Sequence, residues 1–221
     1  MKGLILAAGE GTRLAELNLK HKSFAVVKKQ HIINFSLDLL ADVGKNSDVE
    51  PIKEIVIVVG HNADAVMECI GNEYRGIPVK YVYQAERKGI AHAMRMAKET
   101  LDDDFILCLA DEILLNSRMD AMIKFFNEKK AACVCGCILD ATDQSGKPIG
   151  YIVSSNKEIT KVEEKPAAYF NEYRGVGECI FSKDYLPLLD TLQPNVKRGE
   201  FEMGDYIANI ICSAGGGGVR V

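Results

Sequence analysis

The chain has 221 residues, 48% apolar and 26% charged, with a formal net charge of −4. It is long enough to bury a sizeable core in one large domain. The slight acidity offers no electrostatic footprint for nucleic acid or an anionic membrane, and no apolar run approaches the ~20 residues of a membrane span. The first apolar run is too short for a secretory signal and stops at glycines. The seven cysteines lie in or beside apolar segments. In "CVCGC", strand alternation puts Cys133, Cys135 and Cys137 on one face, without the C-x(2–4)-C spacing of a zinc pair. They are expected to be small core thiols, and their odd number points to a reducing, cytoplasmic setting.

In chain order, "GLILAA" predicts a first, fully buried strand. "INFSLDLLADVG" has helical spacing, "EIVIVVG" is a second buried strand, and "AVMECIGNEY" is a second helix. "VKYVYQ" gives a third strand. In "GIAHAMRMAKETL", Ile90, Met94, Ala97 and Leu101 share one helical face. "FILCLAD" is a fourth strand. This alternation predicts an α/β fold: a Rossmann-like, doubly wound, mostly parallel sheet. From Ala131 onward, "AACVCGCIL", "GYIVSS" and "ITKVEE" are shorter strands, so a β-rich elaboration is expected in the C-terminal half. Helices are expected at "KDYLPLLDTL" and "EMGDYIANIIC", and "VRV" begins a further strand. The chain is taken as one domain, residues 1–221, in two halves, 1–115 and 116–221.

"LAAGEGTRL" directly follows the first strand. Open α/β sheets bind ligands at the carboxyl ends of their strands. Glycine there lets backbone N–H groups approach a phosphate without a clash. Gly9 and Gly11 are placed for this, and the Arg13 guanidinium can grip two phosphate oxygens. The spacing lacks the third glycine of a dinucleotide fingerprint and the GK[ST] of a Walker loop. Taken alone, it equally serves an ordinary strand-to-helix turn with a solvated arginine.

The whole string resembles the N-terminal signature of the sugar-1-phosphate nucleotidyltransferases, which make nucleoside-diphosphate sugars. Further landmarks resemble that family in the same order: "HKSFAVV" its P-K-P-L lysine segment, and "QAERKGIAHA" its Q-x-x-x-x-G-[LI]-A-x-A segment. "LADEIL", "VEEKP", "GVGECIF" and "RGEFEMGD" resemble its G-D-N, E-K-P, T-G-I-Y-x-F and G-E-x-E-[IL]-T-D segments.

The resemblance implies transfer of a nucleotidyl group from a nucleoside triphosphate to a sugar 1-phosphate with release of pyrophosphate, UTP or dTTP being favoured. Positioning and charge neutralisation are what such a step requires. By the same resemblance, Arg13, Lys22 and Asp111 are catalytic. Ala7, Ala8, Gly9, Gly11, Thr12 and Arg13 hold the triphosphate, and Gln84 and Gly89 read the base. Gly150, Glu164, Lys165 and Val176 hold the sugar phosphate. Asp111 and Asp205 bind Mg²⁺, a hard ion suited to carboxylate and phosphate oxygens. His61 and His92 are read as structural or surface residues. The implied partners are the two substrates, with room for a homo-oligomer.

A phosphocholine-type cytidylyltransferase and a non-catalytic nucleotide-sugar-binding regulator remain alternatives. A glycosyltransferase would normally show D-x-D, where this chain has Asp111–Glu112. His21 and Ser23 stand where the family carries prolines, which predicts a looser loop around Lys22 and leaves Lys20 as a rival. Ala110 replaces the family's glycine, Glu112 its asparagine, and Gly204 its threonine.

Overall fold

A computed structural model describes residues 1–9, 21–139, 149–164, 166, 173–215 and 218–221. In its first half, β1 (Lys2–Ala7) precedes a two-stranded ribbon, β2 (Val26–Val27) and β3 (Gln30–His31), and then α1 (Ile32–Asp42). β4 (Ile55–Val59), α2 (Ala63–Ile70), β5 (Glu73–Tyr74), β6 (Ile77–Tyr83), α3 (Ile90–Ala97), β7 (Phe105–Leu109) and α4 (Met119–Lys129) follow. The second half contains β8 (Cys133–Leu139), β9 (Gly150–Val153), β10 (Ile159–Glu163), β11 (Tyr173–Phe181), α5 (Leu188–Thr191), α6 (Met203–Ser213) and β12 (Val219–Arg220).

Four parallel strands in the order β6-β4-β1-β7 form the first half of a ten-stranded sheet. In β1, β4 and β7 the apolar runs are continuous because both faces are covered, whereas β6, on the outer side, is buried only at Val79. Ile5, Ile55, Ile57 and Ile106 pack under α1, α2 and α4, while Leu4, Leu6, Val56 and Leu107 pack against α3 and α6. The first crossovers build outward from β1, and the α3 crossover returns to its other side. That reversal leaves a crevice at the carboxyl ends of the strands.

From β7 onward the sheet is largely antiparallel, as expected for the β-rich half. Along one edge β11 pairs with β9 at Arg174 and with β7 at residues 179–181, while β8 runs along its other edge. Its register shifts between Gly175 and Cys179. β12, the expected strand at "VRV", pairs in parallel with β8. Phe181 stacks on Phe105 and lies 5.5 Å from Tyr206, joining the sheet to α6.

Several elements differ from expectation: β2 and β3 are additional, and "AVMECIGNEY" is helical only to Ile70, where Gly71 (φ +77°) ends the helix before β5. α4 is absent from the expected set because its run is polar overall, although Met119, Ile123 and Phe126 bury one face at helical spacing. "KDYLPLLDTL" divides into a 3₁₀ turn, Lys183–Tyr185, and the short α5. Pro187 lies between them and has no N–H to continue a helical ladder. Cys133 and Cys135 share a buried face, with sulfurs 3.4 Å apart and Cys179 across the strand pair. All seven cysteines are free; Cys69 and Cys212 are exposed, unlike the buried Cys108, Cys133, Cys135 and Cys179. Among the described residues no helix is long and apolar enough to cross a membrane.

Candidate active site

The carboxyl ends of the parallel strands are drawn tightly together. The Gln84 N–H donates to the Val59 carbonyl (2.8 Å) and the Ala110 N–H to that of Leu6 (3.2 Å). A Cβ on Gly60 would lie 3.0 Å from the Ala8 carbonyl oxygen and 3.1 Å from that of Gln84. Glycine is what allows the chains leaving β1, β4 and β6 to converge there.

A cleft of about 330 Å³ opens at this convergence, lined by Ala8, Gly9, Lys22, Gln84, Gly89 and Asp111 together with Arg87 and Glu200. A larger cavity, about 620 Å³, lies beside Met1, Asp103 and Asp104 at the amino ends of β1 and β7. None of the expected site residues among those described lines that cavity, and ligands of open α/β sheets bind at the carboxyl ends.

Lys22 donates from its amine to Asp111 Oδ2 across the mouth of β1 and β7. The amine also lies over Gly9, where a Cβ would approach Nζ to 3.0 Å. At Lys22 itself, hydrogen bonds stand where the family's prolines would be. His21 and Ser23 are both buried. His21 Nδ1 accepts from the Ser23 N–H (3.2 Å) and lies 2.6 Å from its hydroxyl oxygen. Lys22 thus opens a 3₁₀ turn capped by the preceding imidazole, and hydrogen bonds supply the restraint that proline torsions give elsewhere. Burial, and then the charge of Lys22, push the His21 pKa down, so the ring is held in the neutral form that can accept.

Glu112, unlike its neighbour Asp111, turns inward and accepts from the Gly177 N–H (2.7 Å) in the bulged part of β11. A Cβ on Gly177 would come within 2.4 Å of both Glu112 Oε2 and Leu109 Cγ. Burial raises the Glu112 pKa against this hydrogen bond, and it also raises that of Glu178, whose carboxylate accepts from the Ser117 hydroxyl.

On the far side of the cleft, Gly89 has φ of +98° at the N-cap of α3. A Cβ there would meet the Phe201 carbonyl at 2.5 Å. Two backbone hydrogen bonds, Phe201 N–H to Lys88 O (2.7 Å) and Ala91 N–H to Phe201 O (3.0 Å), dock this segment. Gln84 is buried, and its Nε2 lies 2.8 Å from His92 Nδ1 and 3.5 Å from the Gly89 carbonyl.

Other expected residues lie away from this cleft or outside the description. Ala7 packs into the core beneath α1 and α2. Gly150 pairs with Arg174 and Glu163, and Val176 packs against Gly136. Glu164 Oε2 accepts from the Gly204 N–H (3.1 Å), so the E-K-P segment meets the first turn of α6. In that turn Asp205 accepts from Asn195 Nδ2 (3.3 Å) and is not part of the cleft lining. Gly11, Thr12, Arg13, Lys165 and the rival Lys20 lie outside the described residues.

Arg87 and Glu200 are the lining residues that sequence reasoning missed. Each lies within a matched segment, two positions before Gly89 and five before Asp205, but Arg87 falls on an unspecified position and Glu200 only on a motif letter that does not place it in this cleft. Of the two expected metal carboxylates only Asp111 lines the cleft, and one carboxylate suits Mg²⁺ where phosphate oxygens and water complete the shell. Among the described residues no three ligating side chains converge, as such a shared site allows.

The family model described as "Nucleotidyl transferase" matches residues 2–215. A UTP–glucose-1-phosphate uridylyltransferase from Haloferax volcanii is 30% identical over 96% of this chain and 84% of its own length. A glucose-1-phosphate thymidylyltransferase from Streptomyces antibioticus is 26% identical over 96% of this chain, which spans only 57% of that relative's length. Among solved structures, a candidate glucose-1-phosphate thymidylyltransferase from Bacillus anthracis superposes with a TM-score of 0.81 at 23% identity, over 100% of this chain and 85% of the other. A UDP-glucose pyrophosphorylase has a TM-score of 0.78 at 19% identity, over 94% and 85%. These superpositions establish a shared fold.

Proposed function

Because this chain belongs to the nucleotidyl transferase family, we propose that its cleft transfers a nucleotidyl group from UTP or dTTP to a sugar 1-phosphate. A phosphate oxygen of the sugar 1-phosphate attacks the α-phosphorus. The bond from that phosphorus to the bridging oxygen breaks, and pyrophosphate leaves. The observation that carries this reading is the Lys22–Asp111 pair, set over Gly9 at the carboxyl ends of β1 and β7.

The lysine amine is held at the mouth of the cleft by the Asp111 carboxylate. With triphosphate bound, phosphate oxygens compete for the amine, and Lys22 orients the α-phosphate and the incoming anion. Arg13, with the backbone of Gly11 and Thr12, grips the departing pyrophosphate. Gln84 and Gly89 hold the base. Glu164 accepts from sugar hydroxyls, and Lys165 contacts the sugar phosphate as a point charge. Asp111, with Asp205 as a second carboxylate, would hold Mg²⁺, which would neutralise phosphate charge.

The choice of UTP or dTTP is supported by the uridylyl- and thymidylyltransferase relatives and by the Gln84 segment. The test is to incubate the protein with Mg²⁺, a panel of nucleoside triphosphates and a panel of sugar 1-phosphates, and to identify products by mass. A nucleoside-diphosphate sugar from UTP or dTTP is expected. Silence across both panels contradicts the reading.

A further inference from the structure

The sequence reading left His92 as a structural or surface residue, yet it makes the shortest contact to the side chain assigned to the base. Gln84 Nε2 lies 2.8 Å from His92 Nδ1 and, at 3.5 Å, also faces the Gly89 carbonyl. A backbone carbonyl can only accept. The amide nitrogen is therefore the end that faces Gly89, and it donates to an unprotonated Nδ1. In the opposite amide orientation two carbonyl oxygens would confront each other. With Nε2 so engaged, Oε1 is the atom that Gln84 keeps for a ligand, and among the described residues it has no hydrogen-bond partner.

We propose that His92 is a positioning residue that fixes the Gln84 amide with its oxygen available to the base. The site thereby takes a base whose edge offers an imide N–H, the uracil and thymine class. In the same register cytosine would set a ring-nitrogen lone pair against that oxygen. A site built to accept a hydrogen bond discriminates strongly against a partner that cannot donate one. The inference rests on the assignment of this cleft to a nucleoside triphosphate.

The arrangement has a pH limit. Once Nδ1 is protonated it donates, the amide turns its oxygen toward the ring, and Nε2 becomes the atom offered to the base. Several groups set that limit. Lys88 and Arg95 oppose protonation and Glu86 favours it. Glu86 is paired with Lys88, and the Arg95 guanidinium lies 4.5 Å over the Phe201 ring that packs beside His92. Arg87 and Glu200 face the same cleft. Burial is the largest influence and lowers the His92 pKa, so the neutral ring is the working form at neutral pH.

The test is the ratio of kcat/KM for UTP to that for CTP. Ionisations common to the two triphosphates cancel in this ratio. His92→Phe, which keeps an aromatic ring but no acceptor, is expected to shrink the ratio at least about tenfold, chiefly through KM, the size of one lost hydrogen-bond preference. His92→Asn restores an acceptor near Nδ1 and is expected to recover most of the ratio. In the wild type the ratio holds above about pH 6.5 and falls as pH drops below it, and in His92→Asn it stays flat. An unchanged ratio in His92→Phe, or a pH-invariant ratio in the wild type, overturns the proposal. Nitrogen NMR of His92 reads the positioning without turnover: an Nε2–H tautomer is expected, and an Nδ1–H tautomer overturns it. Normal UTP turnover with an unaltered ratio defeats this inference alone, whereas a wild type inert to every triphosphate defeats the transferase reading and the base preference with it.

Discussion

The amine of Lys22 and the carboxylate of Asp111 meet at the carboxyl ends of β1 and β7, joining residues 89 positions apart in the chain. Both groups remain accessible, with side-chain exposures of 17% and 39%. Such a partly solvated pair is worth little to stability, about 0–1 kcal/mol, so its placement is explained better by chemistry than by folding.

That division gives the first expected outcome. Asp111→Asn and Lys22→Gln should each lower kcat by about 10²–10³-fold, the scale of losing one preorganised charge contact in phosphoryl chemistry. Their melting temperatures should stay close to that of the wild type. A variant that loses activity only in step with its folded fraction would assign the pair to structure instead.

The His21–Ser23 contact should give acid sensitivity. The folded-state pKa of His21 lies below its ordinary value because burial opposes protonation. The unfolded chain therefore binds the proton more readily. The contribution is complete above about pH 6.5 and is lost as pH falls through the folded value. His21→Asn keeps an acceptor but cannot titrate, so its Tm deficit against the wild type should narrow on acidification. A deficit constant with pH would show that the ring does not titrate on unfolding.

Glu178 carries the opposite sign. Burial holds its folded pKa above the usual carboxylate range, so the folded protein binds the proton more readily, and the ionised form costs stability as pH rises through that value. Glu178→Gln, which can still accept from Ser117, should raise Tm by a few degrees at mildly alkaline pH. The gain should fade in acid. A lower Tm at alkaline pH would mean that the charge is stabilising where it sits.

Gly89→Ala should damage the base side of the cleft. The position combines φ of +98° with a Cβ site 2.5 Å from the Phe201 carbonyl, which costs about 1–3 kcal/mol in strain alone. The KM for the nucleoside triphosphate is expected to rise more than that for the sugar 1-phosphate. An equal rise in both would disconnect Gly89 from the base.

The core of the parallel half was legible because β1, β4 and β7 are buried on both faces, which leaves continuous apolar runs in the sequence. α4 was not, because its three buried side chains sit in an otherwise polar run. Resemblance selected Lys22, Gln84, Gly89 and Asp111 from separate loops, and the fold sets them around one cleft. It could not reveal Arg87, which falls on an unspecified position of its segment, and it marked Glu200 only as a motif letter without placing it in this cleft. Nor could it show that His21 and Ser23 replace proline restraint with hydrogen bonds. That depends on both side chains being buried, which no local pattern announces. His92 looked like an ordinary helical surface position, and only the fold of β6 onto α3 brings it to Gln84.

The most direct measurement is pyrophosphate release by the wild type and by Asp111→Asn, with UTP or dTTP, a sugar 1-phosphate and Mg²⁺. The account expects one pyrophosphate per nucleoside-diphosphate sugar formed, only when both substrates are present, and almost none from Asp111→Asn. Release that does not require the sugar phosphate, or that survives in Asp111→Asn, would contradict it.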